Sequence, residues 1–570
     1  MLNRSFVSLL ALAATATAQN IALVSVGAGG AQADQACQEA WCSADGQRVA
    51  FQSAASNLVA GDTNNADDIF VRDGASGLTT RVSIATGGAE GDGYCSSPRI
   101  SADGRCVVFL SGATNLVPGD TNGAPDVFVH DTQSGVTTRV SVSTSGAQAN
   151  GLAYAPSISG DGRYIAFHSA ATNLVSGDTN NSWDVFVHDR ASAQTTRVSL
   201  THTGAQASGH CAQPALSADG RFVAFHSNAL NLVPGDTNGV WDIFVRDLAN
   251  GVTQRVSIDS AGVQGNGNCA EASLSADGRF VAFQSAATNL APNDTNARDD
   301  IFVHDRSTGL TRRASVSASG VESSGACKNA RMSGNGRAVA FLSQALNLDP
   351  LDTNTDWDVY VHDLVANTIE VLSIGPSGSF GGASSHWPSI SFGAERVAFM
   401  SYASDLVAGD LNNNPDVFVS TRPTPPPSSY CSASTTSSGC TAALVSSGAP
   451  SASSGASFVL SLAQIEGLRS ARIVYGRSGP LATPWAASSA STLCVRPPLQ
   501  RGTLVNTGGA SGACNGALNF DFTGFLASHP FALGSPLTPG DTFWAQAWIQ
   551  EPGAPKGSQL SSAVTFVIAP

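Results

Sequence analysis

An eleven-residue segment recurs along the chain at one fixed spacing. It reads SADGQRVAFQS at Ser43, SADGRCVVFLS at Ser101, SGDGRYIAFHS at Ser159 and SADGRFVAFHS at Ser217. SADGRFVAFQS at Ser275, SGNGRAVAFLS at Ser333 and SFGAERVAFMS at Ser391 complete the set. The period is 58 residues, kept seven times without an insertion. A chain built this way buries its core between neighbouring copies, so the fold is one unit repeated.

Each unit holds four short strands. In the second copy these are CSSPRIS from Cys95, CVVFLS from Cys106 after an Asp-Gly turn, DVFVHD from Asp126 and TTRVSV from Thr137. Turn-rich sequence separates them, and their Val, Ile and Phe content suits strands packed on both faces. Four strands repeated radially make a propeller blade, so the expected fold is an all-β, seven-bladed β-propeller. The third-strand motif starts at Asp68, Asp126, Asp184, Asp242, Asp300, Asp358 and Asp416. The fourth-strand motif also occurs seven times, but its first copy, IALVSV at Ile21, precedes the first blade. The N-terminal strand is therefore expected to complete the seventh blade beside DVFVS, which removes two exposed sheet edges.

The serine, small residue and Asp-Gly turn ahead of a VAF strand resemble the TolB-type, WD-repeat-like propeller repeat, over about residues 21–422. The resemblance implies the fold and leaves the function open. Two features depart from that family. Ala or Gly, and Phe392 in the seventh copy, stands where the family has proline after the serine. The family's periplasmic namesake also places a smaller domain before six blades, whereas here seven blades come first.

Outside the repeat, residues 1–18 read as a secretory signal: Arg4, an apolar run over 6–14 and Ala16-Thr17-Ala18 as a small-x-small cleavage site. No cysteine follows the cut and no later segment approaches the roughly 20 apolar residues of a spanning helix. A secreted or periplasmic protein with no lipid anchor and no membrane span is expected, where cysteines are free to oxidise. Net charge is -14, and Lys328 and Lys556 are the only lysines, which argues against a nucleic-acid partner. Residues 423–430 form a proline-rich linker, and residues 431–570 are expected to be a small β-sandwich. Its YC, GC, LCV and AQAW elements are similar to a C-terminal domain of secreted planctomycete proteins. Of three possible pairings, sequence proximity favours Cys431 with Cys440 and Cys494 with Cys514 as disulfides. In the propeller Cys37, Cys95, Cys211, Cys269 and Cys327 share one register, which Ala153 and Ser385 fill in the other blades. They are either small apolar fillers or a redox or metal ring.

The most acidic part of the repeat is GDTNNADDIFVRD, residues 61–73. An EF-type loop starting at Asp62 needs glycine at its sixth position and an oxygen ligand at its fifth, and the copies do not keep them. A different oxygen cage for calcium remains open, because an Asp and an Asn two residues on recur in every blade ahead of the strand-leading Asp. The candidate ligands are Asp62, Asn64 and Asp68; Asp120, Asn122 and Asp126; Asp178, Asn180 and Asp184; Asp236, Asn238 and Asp242. The competing reading is that these side chains bond their own backbone in turns and tie each loop to its blade.

A ligand site on a propeller belongs where the channel opens and the copies differ. Glu39, Tyr94, Tyr154, His210, Glu271, Lys328, His386 and Trp387 cluster at or near the heads of the inner strands, a mixture suited to a sugar or a peptide. Trp183, Trp241 and Trp357, each before a strand-leading aspartate, form a second candidate surface. The histidines of VHD, at 130, 188, 304 and 362, read as solvated or packed blade residues. No Gly-x-Ser-x-Gly elbow, HExxH motif or phosphate-binding glycine loop is present. The expected function is non-enzymatic binding or scaffolding of a protein or cell-surface glycan. The alternatives are a calcium-bound structural propeller and a polysaccharide-active enzyme using acids such as Glu39 and Glu271.

Overall fold

The computed structural model describes residues 20–376 and 378–422 with their side chains, and between 428 and 567 the backbone of strands alone. Residues 20–422 form seven four-stranded antiparallel sheets, the blades of a propeller. Blade one runs Cys37–Cys42, Arg48–Ser53, Asp68–Asp73 and Leu78–Arg81, from the innermost strand outward. Blades two to six repeat that order. Blade seven takes three strands from Ser385–Ile390, Arg396–Ser401 and Asp416–Thr421, and its outer strand is Asn20–Leu23 from the start of the chain. Ile21 stands opposite Ser420 and Leu23 opposite Phe418, which is the closure the displaced fourth-strand motif predicts.

The two middle strands carry the core. Phe51 and Phe70 sit opposite each other and stack with centroids 5.8 Å apart, both fully buried. Each blade repeats the pair, down to Phe399 and Phe418 at 5.9 Å, and blade six substitutes Tyr360 for the second ring, 6.0 Å from Phe341. The turn between the inner two strands is locally bonded. Ser43 Oγ accepts the Arg48 amide at 3.0 Å and Asp45 Oδ1 accepts the Gln47 amide at 2.9 Å. Gly46 lies at φ +66°, and a Cβ there would stand 2.6 Å from Cβ of Arg396 in the neighbouring blade. Both the left-handed backbone and that close approach require glycine.

The residue after the repeat serine links the blades. The Ala44 amide donates to the Ala102 carbonyl at 3.0 Å, Ala102 to Gly160 at 3.0 Å, Gly160 to Ala218 at 2.8 Å, Ala218 to Ala276 at 3.0 Å and Ala276 to Gly334 at 2.8 Å. Asn335 then donates to Phe392 at 3.0 Å and Phe392 back to Ala44 at 2.8 Å, so the circuit closes on itself. Proline has no N–H to give. At the six positions whose own amide takes part, the missing family proline is therefore the condition for this ring of bonds.

Beyond the propeller, Ser428–Cys431, Ser558–Val567, Thr542–Gln550 and Ser470–Gly476 follow one another in an antiparallel sheet. Ala443–Ser447, Val459–Ile465 and Gly516–Asp521 form another. The described residues of this region are all in strands. The signal segment, the packing of these sheets as a sandwich and the side chains of Cys431, Cys440, Cys494 and Cys514 lie outside the described residues. Among the described residues no helix is long and apolar enough to cross a membrane.

Candidate functional site

The inner strands converge on a central cavity of about 650 Å³. Each inner strand breaks register once, in blade one between Gln38 and Trp41, and the bulge residue takes a positive φ in all seven blades. These residues are Glu39, Ser97, Ala155, Gln213, Glu271, Asn329 and Trp387, at φ 44–55°. Such bulges re-aim a side chain at the cost of local strain. These residues thus lie within the inner strand, because the bulge lets the strand continue past them.

Of the sequence candidates, Glu39, Tyr154, Glu271 and Trp387 line the cavity, and Tyr94, His210, Lys328 and His386 do not. Those four are engaged elsewhere. His210 Nδ1 accepts the Trp183 amide at 3.1 Å, Lys328 Nζ sits 5.3 Å from the Trp357 ring centroid, and His386 packs edge-on against Tyr402. Tyr94 lies against Gly112 with 47% of its surface exposed. The tryptophan series is half-buried against second-strand histidines in two blades: Trp183 meets His168 at 5.1 Å and Trp241 meets His226 at 4.8 Å. The VHD histidines are packed, with His130 Nδ1 2.9 Å from Thr137 Oγ1.

Sequence reasoning missed the centre of the cavity. Two guanidinium groups lie over the Trp41 ring, Arg99 Cζ 4.2 Å and Arg331 Cζ 5.4 Å from its centroid. Arg99 Nη1 donates to the Pro98 carbonyl at 2.7 Å and Arg331 Nη1 to the Ala330 carbonyl at 2.9 Å, while Arg331 Nε is buried without a partner. No carboxylate among the described residues forms a direct ion pair with either. Burial brings Arg99 down to about 10 against the pull of Glu39, with Arg331 adding to the fall. Glu271 accepts the Asn329 amide at 2.6 Å. His168 and His226 line the same wall, held down to about 4 by burial, and His226 Nδ1 has no hydrogen-bond partner. Trp41, Arg99 and Arg331 each stand two residues after the bulge, where a break in an otherwise small-residue register (Trp41, Arg99, Ser157, Ala215, Ser273, Arg331, Ser389) was the signal for them, and His168 and His226 come from the second strands.

The acidic loops have a different chemistry. In blade one Arg81 Nη1 lies 3.2 Å from Asp62 Oδ1, 3.3 Å from Asp68 Oδ2 and 2.9 Å from Glu90. Arg139, Arg197 and Arg255 bridge Asp120 with Asp126, Asp178 with Asp184 and Asp236 with Asp242 at 3.2–3.5 Å. In blades one to five the Asn of the loop turns its nitrogen toward the strand-leading aspartate, Asn64 Nδ2 to Asp68 Oδ2 at 3.1 Å, while its oxygen accepts the amide two residues on, that of Ala66 in blade one. A cation ligand would present oxygen instead. The final aspartate of the motif belongs to a further pair, Arg105 with Asp131 at 2.7 Å in blade two. Residues 61–73 are thus a turn feeding a strand, with an arginine nitrogen between the carboxylates in five blades.

In blade five Asp294, Asp300 and Glu322 bring their oxygens within 4.8 Å of one another, and Arg313 Nη1 touches all three at 3.6, 3.3 and 2.7 Å. Blade seven has Leu23 in the arginine position, and Gln32 Nε2 donates to Asp410 at 2.6 Å and Asp416 at 2.8 Å. Blade six has neither. Val371 replaces the arginine, Phe380 replaces the Glu or Gln, and Tyr360 donates its hydroxyl to Asp352 Oδ2 at 2.8 Å. Asp358 is fully buried, accepts Ser373 Oγ at 2.6 Å on Oδ1 and has no partner on Oδ2. Burial, with Asp352 and Asp356 close by, pushes it up to about 7.

The propeller cysteines are buried fillers. Cys37 and Cys95 each place Sγ 3.2 Å from a serine hydroxyl of the next strand, and burial pushes both thiols up to about 12. All seven described cysteines are unpaired. A thiol so far from ionisation is a poor redox centre.

No family model and no curated protein matches the chain. Solved structures do, at low identity. An oligogalacturonate lyase in complex with manganese aligns at 13% identity and TM-score 0.45, over 71% of this chain and 96% of its own. TolB from Acinetobacter baumannii aligns at 16% and 0.34, over 59% and 62%, and an acylaminoacyl peptidase from Pyrococcus horikoshii at 10% and 0.40, over 76% and 59%.

Proposed function

We propose that the mature chain acts outside the cytoplasm as a non-enzymatic binding or scaffold protein, and that its central cavity takes a carboxylate-bearing segment of a cell-surface glycan. The observation that carries this is the Arg99–Trp41–Arg331 cluster, two half-buried cations without an ion-paired carboxylate over one indole. Guanidinium groups recognise carboxylates by paired hydrogen bonds, and an indole offers an apolar face to a sugar ring. Tyr154 and Trp387 add further aromatic surface, and residues 431–570 are read as a sandwich domain that places the propeller at the surface it binds.

Calorimetric titration of the full mature chain with uronate-containing and neutral oligosaccharides tests the reading. Preference for the acidic series, weakened at least tenfold in Arg99→Ala and Arg331→Ala, is expected, with the oligosaccharides recovered intact. Binding of carboxylate peptides in their place would move the assignment to a protein partner. Release of shortened products would favour the enzymatic reading, for which the unprotonated His168 and His226 are the bases at hand.

A further inference from the structure

Blade six keeps the carboxylates of the repeated loop and loses every donor that neutralises them elsewhere. Asp352 and Asp358 remain, Asp356 is added where the other blades have Ala, Ser, Val, Arg or Asn, and Val371 and Phe380 stand in place of the charged or amide partners. None of the ion pairs among the described residues includes Asp349, Asp352, Asp356 or Asp358. The Tyr360 hydroxyl serves Asp352 alone. Asp358 Oδ2, on a residue with no exposed surface, faces the place that Arg313 Nη1 fills beside Asp300 in blade five, and nothing bonds it. An unpaired oxygen of this kind in a native core calls for a specific explanation. The same loop also borders a cavity of about 310 Å³, lined by Thr353, Asn354, Asp356, Phe380 and three glycines.

We propose that blade six carries a single calcium site, in which Asp352 and Asp358 are ligands and Asp356 and loop carbonyl oxygens complete the shell. The donor set is all oxygen, with no imidazole or thiolate, which selects a hard cation. The loop is irregular and glycine-bordered, suited to calcium's six to eight flexible ligands and poorly suited to the strict octahedron of magnesium. The cation takes the place that Arg313 occupies one blade earlier. This site is separate from the central cavity and stands or falls without it.

The test is calorimetric titration of the metal-stripped mature chain with calcium, together with thermal melting in chelator and in calcium. About one calcium per chain is expected. At a hundredfold excess over its dissociation constant, the folded-to-unfolded ratio rises about a hundredfold, a melting shift of a few degrees. Asp358→Asn should abolish binding and shift. Val371→Arg should also abolish both while melting in chelator at or above the wild-type temperature, because it restores the internal cation. No binding at millimolar calcium overturns the site and leaves Tyr360 and a proton as the neutralising groups. Binding that survives both substitutions, five or more ions per chain, or preference for magnesium overturns it equally.

Discussion

In blade five three carboxylates close on one nitrogen of Arg313, whereas in blade six Asp352 and Asp358 keep their places and Val371 and Phe380 stand in those of Arg313 and Glu322. Blade five carries its counter-charge in its own sequence, so its loop holds together in any medium. Blade six has Tyr360 for one carboxylate and leaves Asp358 half satisfied, so its state depends on what the medium supplies. The comparison separates the repeated loop from what neutralises it, an arginine nitrogen in five blades and other groups in two. The repeat reports how the loops are built, and its exception reports where a ligand fits.

The strongest way to break the comparison is to remove the internal cation. Arg313→Ala leaves buried carboxylates unpaired and is expected to lower unfolding stability by about 3–5 kcal/mol, read by urea melts. Millimolar calcium should return part of that loss, since the variant copies the blade-six arrangement; a variant as stable as the parent would show that Arg313 neutralises nothing. Blade seven offers the intermediate case. Gln32→Ala removes two hydrogen bonds to carboxylates and should cost about 2–3 kcal/mol, checked by the same melts. Tyr360→Phe, which gives blade six the ring of its siblings, should cost about 1–2 kcal/mol in chelator and less in calcium. An equal loss in both media would detach the hydroxyl from the cation.

The smallest effect is one that should not separate the blades. Asp131 and Asp247 are held down to about 2, first by the hydrogen bonds from Arg105 and Arg221. A folded value below the unfolded one of about 3.9 means a contribution complete above pH 4 and lost as pH falls through 2. Wild type and Val371→Arg should therefore lose melting temperature in parallel between pH 4 and 2. Divergence there would place the acid response in blade six.

The number of blades, their strands and the closing of the ring were legible because a fixed 58-residue spacing admits no other register. The turn serving the acidic motif was legible only as one of two readings, since the deciding residue, Arg81, lies eight positions past the motif's end and meets it through strand pairing. The missing proline was visible as a departure, but its reason, an amide bonded to the next blade, exists only once the ring is closed. The cavity was half legible. Glu39, Tyr154, Glu271 and Trp387 follow from variation, whereas His168 and His226 come from the second strand, a register in which the other blades also vary.

Closing blade seven with Asn20–Leu23 also sets a clock. Ser25 bonds Asp416 across 391 residues of chain, so the first strand made must wait for the last. At 5–20 residues per second that interval is roughly 20–80 s, and from the completion of blade six at Val371 until Asp416 is made the arc presents open edges at both ends. The protein is most exposed to misassembly not when it is least folded but when it is nearly complete.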